Sequence, residues 1–179
     1  EIKIIHMEYQ SYKREKQIMD YDDLLLFTEK LLKDNDEIRK RISSYYKYIM
    51  IDEFQDTSPD NFRLLELITK TDSPNLFVVG DDWQSIYGFR YSNIEYIVRI
   101  KRFFPEAEIH RLTVNYRSRH EIVALSNRFI KKNRYRTRKR LRSYKGRGGI
   151  VRKHTVQNRE QEIEAIASIL AALKTDTGS

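Results

Sequence analysis

The spacing of apolar and polar residues predicts helices that alternate with short strands. Apolar residues form a helical face in Tyr21–Lys33, Asp60–Lys70 and Ser118–Lys132. Helices are also predicted for residues 1–19, which are polar with scattered aromatics, and for Ser92–Phe103 and Asn158–Leu173. Short runs of strand-forming residues lie between or beside them, at Lys47–Ile51, Asn75–Val79, Glu108–Thr113 and Ile150–Val156. Apolar strands that alternate with amphipathic helices are typical of an α/β fold with a mostly parallel sheet flanked by helices.

Local sequence signals set several of these boundaries. Ser92 precedes Glu95 at the spacing of a capping box, and Asn158 precedes Gln161 at the same spacing. Pro105 restricts the backbone of the residue before it, so the helix that contains Phe103 should end there. The final residues, Lys174–Ser179, are expected to be a frayed end or a cloning remnant.

Two of the predicted strands end in acidic residues. The run IMI leads into Asp52-Glu53, and FVV leads into Gly80-Asp81-Asp82. Ligands of open α/β sheets bind where parallel strands deliver their carboxyl ends, and Mg²⁺ prefers carboxylate and water oxygens. The pattern therefore indicates a magnesium site, in which one carboxylate holds the ion and its neighbour deprotonates an attacking water. The competing structural interpretation is that such acids cap the next helix, with Asp56, Thr57 and Asp60 as candidates.

Charge along the chain is strongly asymmetric. The net charge is +8, and the segment from Arg128 to Lys153 holds 13 basic residues and no Asp or Glu. We call residues 128–153 the basic segment. It is either a solvated loop and helix face or a surface for a polyanion, and a phosphate backbone would be bound without reading its sequence.

Composition excludes several classes of protein. The chain has no cysteine, which rules out disulfides and thiolate metal sites, and no stretch approaches the roughly 20 apolar residues of a membrane span. No charged-then-apolar leader opens the sequence, so we expect a cytoplasmic protein.

Three longer motifs together resemble the superfamily 1 DNA helicases of the Rep/UvrD type. They are IMIDEFQDTSPDN, LFVVGDDWQSIYGFR and LTVNYRS, in the family's order and with plausible spacing. The tryptophan in GDDWQSIY and the later SNRFIKKN are most similar to the bacterial DNA helicase IV branch. The resemblance covers roughly residues 21–173. It implies a RecA-like P-loop NTPase fold and an ATP-dependent DNA helicase that uses Mg²⁺ and moves 3′ to 5′ on single-stranded DNA.

The resemblance assigns four residues to ATP and its metal. Asp52 would be the magnesium ligand, and Glu53 the base for the water that attacks the terminal phosphate. Gln55 would lie near the nucleotide or couple its state to the rest of the motor. Gln84 would sense the terminal phosphate, since an amide can donate to a phosphate oxygen and accept from water.

Five further residues receive roles in the same way. Tyr87 and Phe89 fall where the family places aromatics against single-stranded DNA, and stacking holds DNA without reading its sequence. Many relatives have tryptophan at the position of Phe89. Arg90 would contact DNA or tie this segment to the nucleotide site. Tyr116 matches a tyrosine that stacks on adenine, and Arg117 an arginine finger that neutralises transition-state charge. The structural alternatives are core packing for Tyr87 and Phe89 and a salt bridge for Arg117.

One component that such a fold needs is absent from these 179 residues. A P-loop requires GxxxxGK[ST], and none of the six glycines fits that pattern. We therefore expect an internal fragment of a longer helicase chain, in which the P-loop strand is missing and which is inactive alone as an enzyme. The expected parts are the tail of a helical insertion (1–20), the rear half of a first RecA-like lobe (21–115), a connecting helix with basic residues (116–145) and the start of a second lobe (146–179).

Two other functions remain open from the sequence. A metal-dependent nuclease would use Asp52, Glu53, Asp56, Asp81 and Asp82 as a two-metal cluster, but it leaves Gln84, Tyr116 and Arg117 without roles. A non-catalytic nucleic-acid-binding relic would bind through the basic residues around Arg134–Lys145. The sequence also leaves open whether the protein serves DNA repair, replication restart or recombination.

Overall fold

The chain folds into short parallel strands with helices around them. The computed structural model describes residues 2–69 and 75–176. The helices are α1 (Ile2–Lys16), α2 (Tyr21–Asp34), α3 (Asp36–Tyr45), α4 (Pro59–Ile68), α5 (Glu95–Val98), α6 (Ile100–Phe103), α7 (His120–Phe129) and α8 (Arg159–Asp176). The strands are β1 (Ile49–Ile51), β2 (Leu76–Val78), β3 (Val114–Asn115) and β4 (Arg142–Ser143).

The chain divides into two separately packed units. The first unit comprises residues 1–110 and 133–138, and the second comprises 111–132 and 139–179. The chain therefore leaves the first unit, returns to it for six residues of the basic segment, and leaves it again. The part boundaries expected from the sequence stay predictions.

The core of the first unit is aromatic. β1 and β2 pair in parallel, with Met50 opposite Phe77, and α4 packs against both α2 and α3. Phe62 on α4 is the centre of the core: its ring stacks on Tyr96 at 3.8 Å between centroids and meets Phe103 edge-on at 4.8 Å. Phe54, which directly follows the acidic end of β1, is completely buried in the same cluster. The acidic strand end thus rests directly on the core.

Ion pairs fix how α1 meets α2. Lys13 on α1 is buried and lies 2.7 Å from Asp20 and 2.6 Å from Asp23. Asp20 and Asp23 also form a capping box at the start of α2, which satisfies backbone amides that have no partner within the helix. The Lys13 ammonium, the amide of Asp23 and the Tyr9 hydroxyl all donate to Asp20 and hold its pKa far below the usual range.

The second unit is built on a smaller sheet. β3 and β4 pair in parallel, with Asn115 opposite Ser143. The Asn127 side chain on α7 donates to the carbonyl of Leu141 and accepts from the amide of Leu141, so it substitutes for a neighbouring strand just before β4. Val123 and Ile130 are buried here, whereas most other apolar side chains of this unit are exposed.

Several expected elements are confirmed. Parallel pairing is found in both sheets, and the strands after Lys47 and Asn75 occur within the predicted runs. Asn158 caps α8 as expected, since its side chain accepts from the amide of Gln161 at 2.9 Å. The predicted end at Lys70 and the last three residues of the predicted tail, 177–179, lie outside the described residues. The start of that tail was wrongly placed at Lys174, because α8 continues to Asp176.

Other expectations were wrong. Ser92 is no cap: the Glu95 amide bonds to Asn93 instead, and the predicted helix is split into α5 and α6 at Arg99. Neither residues 108–113 nor residues 150–156 form a strand. Their strand-forming side chains are largely exposed, and a strand persists only where a neighbour pairs with its backbone. α3 and β4 were not predicted: α3 is rich in charged residues, and β4 has only two residues, Arg142 and Ser143, with no apolar run to indicate it.

The described residues contain no helix that is both long and apolar enough to span a membrane.

Candidate functional site

The acidic pair that follows β1 sits on a sharp turn at the surface. Asp52 and Glu53 are both exposed. Glu53 has a left-handed backbone with φ of 49°, which bulky residues adopt only at some cost, and its amide donates to the Asp52 carboxylate at 2.8 Å. The next amide, of Phe54, donates to the carbonyl of Val79 at 2.9 Å. This bond ties the turn after β1 to the end of β2.

Gln55 joins the two strand ends beneath that turn. Its side chain is buried, with 1% exposed. Its Nε2 donates to the Glu53 carboxylate at 2.7 Å, and its Oε1 accepts from the amide of Asp81 at 2.9 Å. The fit allows no extra atom, because a Cβ on Gly80 would stand 2.6 Å from Gln55 Oε1 and 2.8 Å from Ile97. Gln55 therefore fixes the Glu53 carboxylate relative to the strand end after β2.

Asp81 continues this path to Gln84. Its carboxylate accepts from Gln84 Nε2 at 2.7 Å and from the amide of Trp83 at 3.1 Å. Gln84 itself is exposed. A hydrogen-bonded path therefore runs from Glu53 through Gln55 and Asp81 to Gln84, and we call these four residues the strand-end path. Four of the polar residues that the sequence singled out are thus brought together.

Among the acids at the two strand ends, Asp52 is the candidate to hold a metal ion. No three His, Asp or Glu side chains converge as a metal site in the described part of the chain. Mg²⁺ bound with a nucleotide needs only one or two carboxylates, because waters and phosphate oxygens fill its other positions. Asp52, exposed at the strand end, suits that requirement.

The structure removes support from two alternatives considered for the acids. Asp82, one of five acids in the possible nuclease cluster, is buried and accepts hydrogen bonds from Thr137 through both carboxylate oxygens. Neither Asp56, Thr57 nor Asp60 caps α4; Ser58 does, through the amide of Asn61. The exposed pair Asp52-Glu53 thus has no structural task at the start of that helix.

Aromatic side chains next to the strand-end path are at the surface. Tyr87 is 39% exposed and Phe89 is 74% exposed, so core packing does not explain either. Their rings lie 5.9 Å apart, and the Arg90 guanidinium stands over both, at 5.3 Å and 5.7 Å. Cation–π contacts of this kind hold the Arg90 cation next to the two rings, which are tilted by 55° relative to each other.

In the second unit, a turn after β3 presents Tyr116 and Arg117. Both are exposed. The turn is held by the Asn115 side chain, which accepts from the amides of Arg117 at 3.0 Å and Ser118 at 2.7 Å. Tyr116 lies beside Tyr144, with 5.0 Å between ring centroids, because Tyr144 continues β4 and bonds to the carbonyl of Asn115.

Two residues near these sites were not expected from the sequence. Tyr144 was treated only as part of the basic segment, although the parallel pairing of β3 with β4 sets it next to Tyr116. Thr137 was not considered, and its bonds to Asp82 join positions 55 residues apart. No local pattern marks either contact, since both depend on how the segment after α7 folds back.

Comparison with known families places the chain in one of them. The chain matches the UvrD/REP helicase N-terminal domain over residues 1–105 and the UvrD-like helicase C-terminal domain over residues 110–178. The chain therefore belongs to the UvrD/REP helicase family, and the expected family is confirmed. The strand-end path lies within the first match, and Tyr116 and Arg117 lie within the second.

Individual relatives are named ATP-dependent DNA helicases. The chain is 34% identical to ATP-dependent DNA helicase Rep of Escherichia coli (strain K12) over 164 residues, which is 92% of this chain and 24% of that protein. It is 31% identical to ATP-dependent DNA helicase PcrA of Leuconostoc citreum over 170 residues, 95% of this chain and 23% of that protein. The chain thus spans about a quarter of the length of the curated relatives it matches.

Proposed function

We propose that the chain is part of an ATP-dependent DNA helicase or translocase that couples hydrolysis of Mg-ATP to 3′-to-5′ movement on single-stranded DNA. The strand-end path carries this proposal, because it physically joins a candidate catalytic carboxylate to a candidate phosphate-sensing amide. The named relatives, which are ATP-dependent DNA helicases, support the same reaction. The direction of movement and the helicase IV branch rest on the motif resemblance alone.

In this proposal, hydrolysis uses the exposed pair after β1. Bound Mg²⁺ would neutralise phosphate charge, with Asp52 as its protein ligand. Glu53 would accept the proton of the water that attacks the terminal phosphate. The bond from Gln55 Nε2 orients the Glu53 carboxylate, so one of its oxygens is held at 2.7 Å while the side chain stays exposed. Gln55 is therefore a positioning residue for the base.

The other nucleotide roles follow from side-chain chemistry. Gln84 would bond to the terminal phosphate while ATP is bound, and it would bond to Asp81 again once the phosphate has left. Because Asp81 is bonded to Gln55, and Gln55 to Glu53, this change of partner would alter the position of the Glu53 carboxylate. Tyr116 would stack on the adenine, and Arg117 would neutralise charge that develops in the transition state.

DNA would be held without sequence preference. Tyr87 and Phe89 offer rings for base stacking, worth about 1–3 kcal/mol per base in related sites. Arg90 adds a cation above both rings. The basic segment would add phosphate contacts, whose contribution falls steeply with salt concentration.

We further propose that the phosphate-binding loop of this motor lies outside these 179 residues. The sequence contains no GxxxxGK[ST], and the relatives are about four times as long as the chain. By itself the chain would then show negligible ATP turnover. Residues 1–20 would be the tail of a helical insertion, and residues 21–115 the rear half of a first RecA-like lobe. Residues 116–145 would form the connecting helix with its basic residues, and residues 146–179 would begin the second lobe.

ATP turnover with and without single-stranded DNA tests this division. The 179-residue chain should be inactive in both conditions, whereas the longer protein that contains it should hydrolyse ATP faster when DNA is added. Robust DNA-stimulated turnover by the 179 residues would contradict the division. Lack of turnover by the longer protein would contradict the proposed function. The gene sequence before Glu1 gives a second check, since it should encode a GxxxxGK[ST] motif.

The direction of movement has its own test. Duplexes with a single-stranded tail on the 3′ side should be unwound by the longer protein, and duplexes tailed on the 5′ side should not. The reverse preference would contradict the proposed polarity while leaving the proposed ATP chemistry intact.

A further inference from the structure

All three polar groups of Thr137 are bound by two adjacent residues of the first unit. The Thr137 amide donates to one Asp82 oxygen at 2.6 Å, and its hydroxyl donates to the other at 2.7 Å. The Trp83 indole donates to the Thr137 carbonyl at 3.4 Å. We call these three bonds the Thr137 clamp. The proposed ATP chemistry uses none of the three residues.

Asp82 makes this clamp strong. Its side chain is buried, with 5% of the residue exposed. A buried carboxylate is costly unless hydrogen bonds replace its hydration, and bonds to a charged acceptor are stronger than those between neutral groups. Displacing Thr137 would leave Asp82 without two of its donors. Movement of Thr137 is therefore opposed unless Asp82 moves with it.

The clamp acts on the turn that presents Gln84. Asp82, Trp83 and Gln84 form one 3-10 turn, so the backbone that holds the clamp also holds the candidate phosphate sensor. Gln84 is tied to the same turn by its own amide, which donates to the Asp81 carbonyl at 2.8 Å. A shift of Asp82 would change the position from which the Gln84 side chain reaches out.

Thr137 also lies in the most basic part of the chain. Arg134 and Arg138 flank it and are exposed, and Tyr135 between them is 49% exposed. Arginines interleaved with an aromatic ring suit a single-stranded nucleic acid, since the cations meet phosphates and the ring can stack on a base. The six residues 133–138 belong to the first unit, although the basic residues on either side belong to the second.

We propose that the Thr137 clamp transmits DNA binding from the basic segment to the Gln84 turn. Phosphates held by Arg134 and Arg138 would shift Thr137, and Asp82 would carry that shift to Gln84. Thr137 is then a positioning residue that lets the motor register bound DNA at its nucleotide site. The inference rests on the proposed function, since it requires that the chain bind single-stranded DNA.

The chain carries its own reporter for this coupling. Trp83 is the single tryptophan among the 179 residues, and its indole is part of the clamp. Addition of a single-stranded oligothymidylate should change Trp83 fluorescence, while the anisotropy of a labelled oligonucleotide measures affinity. In Thr137→Val, which loses the hydroxyl bond to Asp82, most of the emission change at saturation should be lost with little change in affinity. Thr137→Ser keeps the hydroxyl and should restore it.

Matched variants separate coupling from binding. Thr155→Val removes a hydroxyl at an exposed position of the second unit and should behave as the unaltered chain. Arg134→Ala with Arg138→Ala should remove the emission change and flatten the salt dependence of affinity by about 0.7 in slope per lost phosphate contact. Arg14→Ala with Arg41→Ala removes two exposed arginines elsewhere in the first unit and should leave the emission change intact.

The outcomes distinguish this inference from the proposed function. A full emission change in folded Thr137→Val, or none in the unaltered chain with oligonucleotide bound, would overturn the coupling alone. Failure of the chain to bind the oligonucleotide at low salt would overturn both the coupling and the proposed DNA contacts. Circular dichroism shows whether Thr137→Val folds. Should it not fold, the paired arginine variants decide, and an emission change that survives loss of Arg134 and Arg138 overturns the coupling.

Discussion

The two units present their candidate functional residues by different physical means. In the first, buried side chains hold the site: Gln55 joins the strand ends, and the turn after β1 rests on the buried ring of Phe54. In the second, the site is a turn held by bonds to the backbone: the Asn115 side chain accepts from two backbone amides, and the turn exposes Tyr116 and Arg117. Most of the second unit's apolar side chains remain exposed.

Buried site residues of the first unit therefore also stabilise the fold, whereas exposed site residues of the second unit are available only to contact a ligand. Substituting a buried member of the first site should reduce stability together with activity, since an unsatisfied buried polar group or a cavity is costly. Substituting an exposed member of the second should affect binding with little change in stability. Measurements of unfolding can therefore test the contrast without any ligand.

The largest effect on stability is expected from the aromatic core beneath the first site. Phe62→Ala removes the ring that stacks on Tyr96 and should lower the free energy of unfolding by about 3–5 kcal/mol. Urea denaturation followed by far-UV circular dichroism reports this for both variants, because helices of both units contribute to the signal. The control is Phe129→Ala in the second unit, where the ring is 69% exposed and the change should stay within about 0.5 kcal/mol. Equal losses in the two variants would contradict the contrast.

A smaller loss of stability is expected from a substitution at the point where the ends of β1 and β2 approach each other. Gly80→Ala places a Cβ 2.6 Å from Gln55 Oε1, so Gln55 must shift and its bond to the Asp81 amide must lengthen. Overpacking of this kind costs about 1–3 kcal/mol. Gly88→Ala is the matched control, since its Cβ would meet nothing within 4 Å. Urea denaturation should rank the two variants in that order, and similar midpoints would show that Gln55 is not held tightly.

The smallest effect concerns an acid in the second unit. Glu121 accepts from its own amide and from the amides of Gly149 and Gly148, and these bonds lower its pKa below the ordinary value of 4.5. A lowered pKa in the folded chain means that the ionised carboxylate stabilises it above pH 4.5. This contribution is lost as the pH falls through the lowered value.

Amide chemical shifts of Gly148 and Gly149 measure that titration directly. Their midpoint should lie below 4.5, and Glu121→Gln should abolish it. Glu164→Gln, on the exposed side of α8, should leave it unchanged. A midpoint at or above 4.5 would show that the two glycine amides do not bind the carboxylate in solution.

Sequence patterns predicted the parts of the fold that depend on local preferences. α2 and α4 have continuous apolar stripes, and β1 and β2 are apolar runs that end in acids, so their positions could be predicted from periodicity. α3 was missed because charged residues dominate it. The break at Arg99 that separates α5 from α6 has no signal in the apolar pattern, because Ile97 and Ile100 suit a continuous helix equally well.

The sequence indicated which residues belong to the candidate site, but not how those residues are arranged. Motifs pointed to Asp52, Glu53, Gln55 and Gln84, but no pattern shows that Gln55 is buried or that it bonds to the Asp81 amide. Those facts depend on the register between β1 and β2. The contact of Thr137 could not be predicted at all, because its partner Asp82 is 55 residues away in sequence and was considered only as a strand-end acid.

The central claim is that the strand-end path positions Glu53 as the base of an ATP site. ATP binding and DNA-stimulated phosphate release, measured together on the longer protein carrying Glu53→Gln, test it most directly. Glu66→Gln, an exposed acid on α4, is the control. We expect that Glu53→Gln still binds ATP while phosphate release falls by about 10²–10⁴-fold, because a general base is lost. Phosphate release that matches the Glu66→Gln control would contradict this role of Glu53.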